Sequence, residues 1–376
     1  MIDKILALRG GAELVALWAQ LTSVMEMIAG IALAGVGAGL SVLVAQTSRG
    51  ERHQLFLRRA LILGLAVSLP VALAAGILGA AFPDALGGSA VSATAFAMAS
   101  AAGWIAVVHG LVNSFWLGQQ RRDLMLALAA LCALLPLSAA AFAPRAHIVE
   151  WMVLAQAAPA LVFLLVPHRA EAQPRAEDHA LQRYILPGIV VGILSPASML
   201  VARGVVGEGL SWHDSGVLQA LWRMSDWVCG LAAGVLGVLY LPRFAAAQSR
   251  SALAQELRAA TITVLLPSAV LFLLLFALHR PLLEALYDSS FRASPLAVGL
   301  LFVGSLVRIG SWIALFALYA TVRTRAIAIG EVFSLPLFAA LTFAAGNALT
   351  LEMVGAFWLV SFVAYTAFNC WALRRS

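Results

Sequence analysis

Residues 256–278 read ELRAATITVLLPSAVLFLLLFAL, and after Arg258 this stretch contains no charged side chain. A helix needs about 20 mostly apolar residues to cross roughly 30 Å of hydrocarbon, so this stretch is long enough to span a bilayer. Ten other stretches share its length and character. The eleven predicted spans are 14–45, 55–82, 91–117, 123–143, 148–166, 183–206, 216–242, 256–278, 294–319, 323–345 and 351–373.

The overall composition agrees with this pattern. Hydrophobic residues make up 62% of the chain and charged residues 11%, which excludes a soluble domain of this size. The sequence therefore predicts an all-α polytopic membrane protein. The connectors are short, the longest being 167–182 and 279–293, and no GxxxxGK[ST] phosphate loop is present. We therefore expect transport, with neither enzymatic activity nor a cofactor.

Arginines gather in every second connector, and positive charge marks the cytoplasmic side of a membrane protein. This pattern predicts a cytoplasmic C-terminus. The net charge of +6 comes from these anchors, so nucleic-acid binding is not implied. The predicted cytoplasmic face carries Arg49, Arg52, Arg58, Arg59, Arg121, Arg122, Arg169, Arg175, Arg183, Arg243, Arg250, Arg258, Arg323, Arg325, Arg374 and Arg375, and the opposite face carries Lys4, Arg9, Arg145, Arg280 and Arg292.

Two similar segments indicate an internal repeat. The tripeptide Ala-Leu-Trp occurs at 16–18 and again at 220–222, an offset of 204 residues. Many transporters are built from two such repeats, with the substrate site between the halves. A three-residue match also arises by chance in a chain so rich in apolar residues. Each copy precedes glycines that we expect to permit close helix contact or bending: Gly35, Gly37 and Gly39, and Gly230, Gly234 and Gly237.

Residues 199–243 read MLVARGVVGEGLSWHDSGVLQALWRMSDWVCGLAAGVLGVLYLPR. This stretch resembles the seventh-to-eighth helix region of Wzx-type oligosaccharide flippases, the polysaccharide-transporter branch of the MATE-like MOP superfamily. It is most similar to the lipid III flippases of enterobacterial common antigen synthesis. Residues 11–46, 113–122 and 304–312 look like the second, fourth and tenth helices of that family. Ser305 departs from the pattern, because the family often has an acidic residue there, and this argues against ion coupling at that position.

The resemblance implies twelve helices in two six-helix lobes around a central cavity. On this chain, that gives an N-terminal lobe of five spans at 1–166, a cytoplasmic linker at 167–182 and a C-terminal lobe of six spans at 183–376. We expect the first of the twelve helices to be missing, because the span that begins at residue 14 looks like the second helix of the family.

The implied function is translocation of undecaprenyl-diphosphate-linked oligosaccharide, such as lipid III or an O-antigen-like repeat unit, to the periplasmic leaflet of the bacterial inner membrane. Alternating access coupled to an ion gradient is the implied mechanism. The implied partners are this glycan lipid, the bilayer, and glycan polymerase and chain-length regulator proteins. A multidrug or small-molecule antiporter on the same fold is an alternative, and a membrane-embedded glycan polymerase or ligase is a more distant one.

Three arginines inside predicted spans are the candidate substrate ligands, because intramembrane ionisable residues are rare and functional by default. Arg308 lies near the middle of its span, and an arginine fork pairs with phosphate oxygens without losing its proton. Its alternative role is a structural ion pair with Glu26 or Asp226. Arg223 and Asp226 are three residues apart and can pair with each other. Arg203 lies near the outer end of its span, where snorkelling is the simpler account.

Two acids and a histidine are candidates for ion coupling. Glu26 and Asp226 lie inside predicted spans, where desolvation favours the neutral, proton-carrying form of a carboxyl; the alternative is a hydrogen-bonded structural acid. His109 is the third candidate, although a hydrogen bond to a neighbouring helix is the simpler account. Glu331 is expected to snorkel or to pair with an arginine. The tryptophans, expected mostly at the interfaces or in packing but also able to stack on sugar, are Trp104, Trp116, Trp151, Trp212, Trp312, Trp358 and Trp371.

The missing helix is a prediction about the N-terminal lobe. The 204-residue offset places the counterpart of 183–206 upstream of Met1, as the family pattern also does. We expect either a chain that starts late or a genuine eleven-helix protein. In both cases, the first lobe would have five helices and an apolar groove beside 14–45 and 91–117. A twelfth crossing built from residues 1–13 with part of 14–45 would contradict this count.

Overall fold

The structure is a computed structural model that describes residues 2–46, 51–81, 92–165, 181, 185–247, 249–321 and 323–375. Its described residues form helices and no strands. Ten helices in that part of the chain are long and apolar enough to cross a membrane, which confirms the predicted all-α membrane fold. The helix Ile185–Gly209 occupies the place of the remaining predicted span, 183–206, but is not among these ten.

The first five spans contain six helices. A π-helical turn at Leu33–Gly37 joins the first two into one span, Ile2–Ala45. A 3₁₀ stretch at Ala158–Leu165 extends the last one. The helices are α1 (Ile2–Ala32), α2 (Ala38–Gln46), α3 (Glu51–Ala81), α4 (Ala93–Gly118), α5 (Arg122–Phe142) and α6 (Ile148–Ala157).

The rest of the chain contains ten further helices. Two more π-helical turns interrupt long spans, at Leu236–Tyr240 and Thr261–Leu265. The helices are α7 (Ile185–Gly209), α8 (Trp212–Val235), α9 (Leu241–Ala246), α10 (Arg250–Ala260), α11 (Leu266–Ala277), α12 (His279–Leu286), α13 (Pro295–Ala320), α14 (Thr324–Val332), α15 (Leu335–Ala345) and α16 (Leu351–Arg374).

The first span begins at Ile2, twelve residues earlier than predicted. Charged residues near its start lower the local hydropathy, but one of them, Arg9, has hydrogen-bond acceptors in the structure. Arg9 Nη1 donates to the carbonyl oxygen of Ala140 (2.7 Å), and Nη2 donates to that of Ala143, at the C-terminus of α5. The negative end of a helix dipole favours such a cation. Residues 2–13 therefore belong to α1, which bends at Gly11 (φ 70°), and form no separate crossing.

The chain divides into two compact units. The first contains residues 1–9 and 17–200, and the second contains 10–16 and 201–376. The lobe boundaries at 1–166, 167–182 and 183–376 stay a prediction, as does the apolar groove beside the first span. Apart from Leu181, residues 167–180 and 182 of the predicted linker lie outside the described part of the chain.

The first part of α7 belongs to the first unit, where it packs against α1. A Cβ atom at Gly192 would lie 2.4 Å from the carbonyl carbon of Gly30, so the two backbones touch. Gln20 donates from Nε2 to the carbonyl oxygen of Leu200 (3.2 Å). Small residues permit this close approach of helices within a membrane, where apolar burial alone does not drive association.

Equivalent elements recur in both halves of the chain, which supports the internal repeat. Helices α4 and α13 have 26 residues each and begin at Ala93 and Pro295, 202 residues apart. A serine caps both: Ser92 accepts from the backbone N–H of Ala95, and Ser294 accepts from that of Ala297. The π-helical turns at Leu33–Gly37 and Leu236–Tyr240 are similarly placed. These coincidences involve whole elements and are stronger than the three-residue match.

The glycines of the two copies have different surroundings. A Cβ atom at Gly37 would lie 2.9 Å from Ser114 Oγ, which is the expected close helix contact. At Gly230 and Gly234, no neighbouring atom would lie within 4 Å of such a Cβ. Close packing is therefore the wrong explanation for these two glycines. Gly237 lies within a π-helical turn, and the expected bending there stays a prediction.

Candidate functional site

Arg308 lies on α13 within the second unit, among charged and aromatic groups. Its Nη1 donates to Asp226 Oδ1 on α8 (3.3 Å), and the two side chains are 21% and 49% exposed. No other hydrogen bond of the Arg308 guanidinium is found within the described residues. One edge of the guanidinium is therefore held by a carboxylate, while other N–H donors remain available to a ligand.

Three aromatic rings surround the Arg308 guanidinium. Its central carbon lies 4.8 Å from the ring centroid of Trp312, 5.6 Å from that of Trp358 and 5.5 Å from that of Phe362. Trp312 is one turn along the same helix, and the other two lie one turn apart on α16. A cation near aromatic faces is stabilised, by about 2 kcal/mol or more when it is desolvated. The rings therefore hold the charge in a fixed position.

A buried serine orients the central tryptophan. Trp358 is only 2% exposed and donates from Nε1 to Ser305 Oγ (3.1 Å). It also packs edge-on against Phe338 and Phe362, with ring centroids 5.1 Å and 4.8 Å apart. Ser305, where the resembled family often has an acid, thus serves as a hydrogen-bond acceptor for an indole. The position of Trp358 beside Arg308 is therefore fixed by packing and by this hydrogen bond.

Arg203 reaches the same aromatic cluster from α7. It is 7% exposed and donates from Nε to Gln219 Oε1 (2.9 Å). Its guanidinium carbon lies 5.7 Å from the ring centroid of Trp222, which in turn packs against Trp358 with centroids 5.5 Å apart. The expected snorkelling of Arg203 is therefore wrong, because a polar partner on α8 compensates its burial. Arg203 and Arg308 share one continuous cluster.

Asp226 and Arg223 occupy successive turns of α8. Asp226 accepts from Arg308, which is one of the structural pairs expected for that arginine. Arg223 is half-buried. Its proposed pairing with Asp226 and its proposed contact with substrate stay predictions.

The remaining ion-coupling candidates lie in the first unit. Glu26 is exposed on α1. His109 is half-buried on α4, and its Nδ1 atom is buried without a hydrogen-bond partner in the described part of the chain. The hydrogen bond that we expected from His109 to a neighbouring helix is therefore not found at this nitrogen. The coupling roles of both residues stay predictions.

Glu331 is held by hydroxyl groups. Tyr365 donates to Glu331 Oε1 (2.6 Å), and Ser334 donates to Oε2 (3.3 Å). Neither partner is the arginine that the sequence suggested, and Tyr365 is 34 residues away, on α16. This acid is therefore tied to α16 within the second unit.

The sequence analysis missed several members of the Arg308 cluster, among them Phe362 and Gln219. Phe362 and Gln219 carry no charge, and nothing singles them out among the many apolar and polar residues of the spans. A spacing of four residues would have helped, because it places Arg308 with Trp312, and Trp358 with Phe362, on one helix face each. Which faces meet depends on how the helices pack.

The described fold has clear counterparts among solved structures. It is similar to an inward-facing multidrug resistance MATE-family transporter of the MOP superfamily (TM-score 0.80, 15% identity, covering 100% of this chain and 94% of that chain). It is also similar to the lipid II flippase MurJ in an inward closed conformation (TM-score 0.75, 14% identity, 99% and 84% covered). The fold is that of MOP-superfamily transporters.

A third counterpart has a distinctive binding pocket. It is a MOP-superfamily transporter from Pyrococcus furiosus for which a reverse polarity of the binding pocket suggests a different function (TM-score 0.62, 15% identity, 100% and 90% covered). No protein-family model matches the sequence. No curated protein matches it either. At 14–15% identity, these structural likenesses establish the fold alone, and the resemblance to Wzx-type flippases stays a prediction.

Proposed function

We propose that the protein is a membrane transporter that flips a polyprenyl-diphosphate-linked oligosaccharide between the leaflets. The observation that carries the proposal is Arg308, whose guanidinium rests on three aromatic rings and keeps N–H donors unused by the described protein groups. A diphosphate cannot cross hydrocarbon without partners for its charge. An immobilised guanidinium supplies such a partner, because its planar fork matches phosphate oxygens.

The aromatic residues fit the second part of the substrate. Trp312 is half-buried, so part of its ring remains accessible beside the arginine. Aromatic faces commonly support sugar rings through apolar contact, while the neighbouring polar groups hydrogen-bond the hydroxyls. In this proposal Arg308 binds the diphosphate, Trp312 contacts the first sugar, and the polyprenyl tail stays in lipid.

Coupling to an ion gradient forms the next part of the proposal. Asp226 accepts a hydrogen bond from Nη1 of Arg308, so protonation of this carboxyl would release the arginine for a phosphate group. Glu26 and His109 are the additional candidates. Alternating access then moves the bound headgroup from the cytoplasmic to the periplasmic leaflet of the bacterial inner membrane.

A multidrug antiporter is the second candidate, favoured by the likeness to the MATE-family transporter. Cationic drugs are recognised best by unpaired acids and aromatic rings. In this chain Asp226 is already paired with Arg308, so it is less available to a cation. The remaining N–H donors of Arg308 favour an anionic ligand. The two functions therefore predict substrates of opposite charge at this site.

The test uses purified protein in proteoliposomes that contain a fluorescent polyprenyl-diphosphate-linked oligosaccharide. A membrane-impermeant reductant measures how fast the label changes leaflet, and a cationic dye measures drug antiport in parallel vesicles. We expect protein-dependent movement of the glycan lipid and none of the dye. Arg325→Ala, which removes an exposed arginine outside the site, should transport normally. Dye antiport without movement of the glycan lipid would support the drug transporter instead.

A further inference from the structure

A groove of about 310 Å³ lies in the second unit, between α11 and α13. Phe272 and Phe302 form its buried floor, with ring centroids 5.5 Å apart. Leu273 and Val303 line it as well and are 66% and 50% exposed, so the groove opens away from the core of the unit. All the side chains that line it are apolar. Water would find no hydrogen-bond partner among them, whereas a hydrocarbon chain would fit.

The groove has the length and direction of a lipid chain segment. Along α11 it extends from Ala269 to Phe276, and along α13 from Leu306 to Gly299. Seven residues at 1.5 Å each give about 10 Å on each helix. A Cβ atom at Gly299 would be in ordinary contact with Phe276, 3.4 Å from its Cε2 atom, so a side chain larger than that of alanine would enter this outer end of the groove. Since α11 ends at Ala277, this end of the groove lies at the predicted outer ends of both helices.

Two basic residues lie close in sequence to the outer end of the groove. Arg280 is in the first turn of α12, three residues after α11 ends, and Arg292 lies three residues before α13 begins. Both are exposed, and neither forms an ion pair within the described residues; Arg292 Nε donates only to the carbonyl oxygen of Ser289 (3.2 Å). Arginines are unusual on the outer face of a membrane protein. An anionic headgroup at this depth would account for them.

The groove is separate from the Arg308 site. Successive residues of a helix turn by about 100°, so Arg308 points roughly 200° away from Leu306, the groove residue nearest in sequence. A lipid whose headgroup is bound by Arg308 would therefore have to pass around α13 to place its tail in the groove. This geometry favours a second lipid over the transported one.

We propose that this groove binds one acyl chain of an anionic phospholipid from the outer leaflet, with its phosphate between Arg280 and Arg292. Phe272 and Phe302 support the chain from below, and the chain leaves the groove beside Gly299 toward the headgroup. The lipid would fill the space between α11 and α13 that no side chain occupies. This site is independent of what the protein transports.

The chain-binding part is tested by native mass spectrometry of the purified protein titrated with phosphatidylglycerol. Gly299→Leu places a side chain in the outer end of the groove, and we expect about tenfold weaker binding of the first lipid. Gly234→Leu is the matched control, because no atom lies within 4 Å of a Cβ atom there, and it should bind like the wild type. Equal affinity in the two variants would overturn the proposal.

The headgroup part is tested by comparing phosphatidylglycerol with phosphatidylcholine. The wild type should prefer the anionic lipid, and the Arg280→Gln/Arg292→Gln double variant should lose that preference while it still binds both lipids. Arg145→Gln, which removes another exposed arginine of the predicted outer face, should keep the preference. An unchanged preference in the double variant would overturn the proposal even if Gly299→Leu failed to fold.

Discussion

The first span and α8 share a local pattern but use it differently. Both contain Ala-Leu-Trp and continue into a π-helical turn. The 204-residue offset pairs Thr22 with Asp226. Thr22 donates to the carbonyl oxygen of Ala19 in its own helix (2.9 Å), whereas Asp226 accepts from Arg308 on another helix. In the first copy, the polar side chain at this position bonds within its own helix. In the second copy, it positions the charge of Arg308.

Helices α4 and α13 show the same contrast. Their 202-residue offset pairs Ala106 with Arg308, and Gly110 with Trp312. A Cβ atom at Gly110 would lie 2.6 Å from side-chain atoms of Leu33, so this position serves helix packing. The equivalent position in α13 carries an indole beneath a guanidinium. The scaffold is therefore repeated, while at these positions only the second copy carries the arginine and the indole.

The largest effect is expected where α1 contacts α8 within the second unit. A Cβ atom at Gly216 on α8 would lie 2.0 Å from the carbonyl oxygen of Ala12, its counterpart at an offset of 204 residues. Gly216→Ala should destabilise the protein by about 3 kcal/mol through overpacking. Gly234→Ala should change stability by no more than about 1 kcal/mol, in the favourable direction, because alanine suits a helix better than glycine.

Thermal unfolding of both glycine variants in detergent measures this difference. A lower melting temperature for Gly216→Ala than for Gly234→Ala is expected. If the two variants melted together, α1 and α8 would not be in backbone contact, and the pairing of Ala12 with Gly216 would be lost.

The acids of the two copies should separate coupling from binding. With a gradient of one pH unit, worth about 1.4 kcal/mol per proton, wild-type flipping should accelerate. Asp226→Asn keeps the shape of the side chain but cannot release a proton, so it should bind substrate and ignore the gradient. Glu26→Gln tests the acid of the first copy in the same assay. Normal gradient dependence in both variants would assign these acids a structural role.

A further effect on stability is expected at Ser305, whose counterpart is Gly103. Ser305→Ala leaves the buried indole N–H of Trp358 without its acceptor, which costs about 1–3 kcal/mol. Ser311→Ala is the matched control, since its hydroxyl bonds only to the carbonyl oxygen of Arg308 in the same helix (2.6 Å) and its loss should be nearly neutral. Chemical unfolding of the two variants compares them, and equal losses would remove Ser305 from the site.

Hydropathy predicted the spans because membrane helices must be long and apolar. Charge marked Arg308 and Asp226 for a related reason: an ionisable residue in a span needs a partner. The partners themselves depend on packing. Arg203 was expected to snorkel, since the sequence does not reveal its partner Gln219 on the next helix. Glu331 was expected to snorkel or to pair with an arginine, since its partner Tyr365 is 34 residues away. The early start of α1 was missed because Arg9 lowers the local hydropathy. In the structure, the carbonyl oxygens of Ala140 and Ala143 accept hydrogen bonds from Arg9 and so compensate its charge.

The central claim is that Arg308, and not its counterpart in the first copy, binds the phosphate groups of the transported lipid. Flipping of a fluorescent polyprenyl-diphosphate-linked oligosaccharide in proteoliposomes tests it most directly, at matched amounts of inserted protein. Arg308→Ala should slow flipping by about tenfold to 100-fold, since a charge-assisted hydrogen bond is lost. Ala106→Ser should flip like the wild type. Normal flipping by Arg308→Ala would contradict the account.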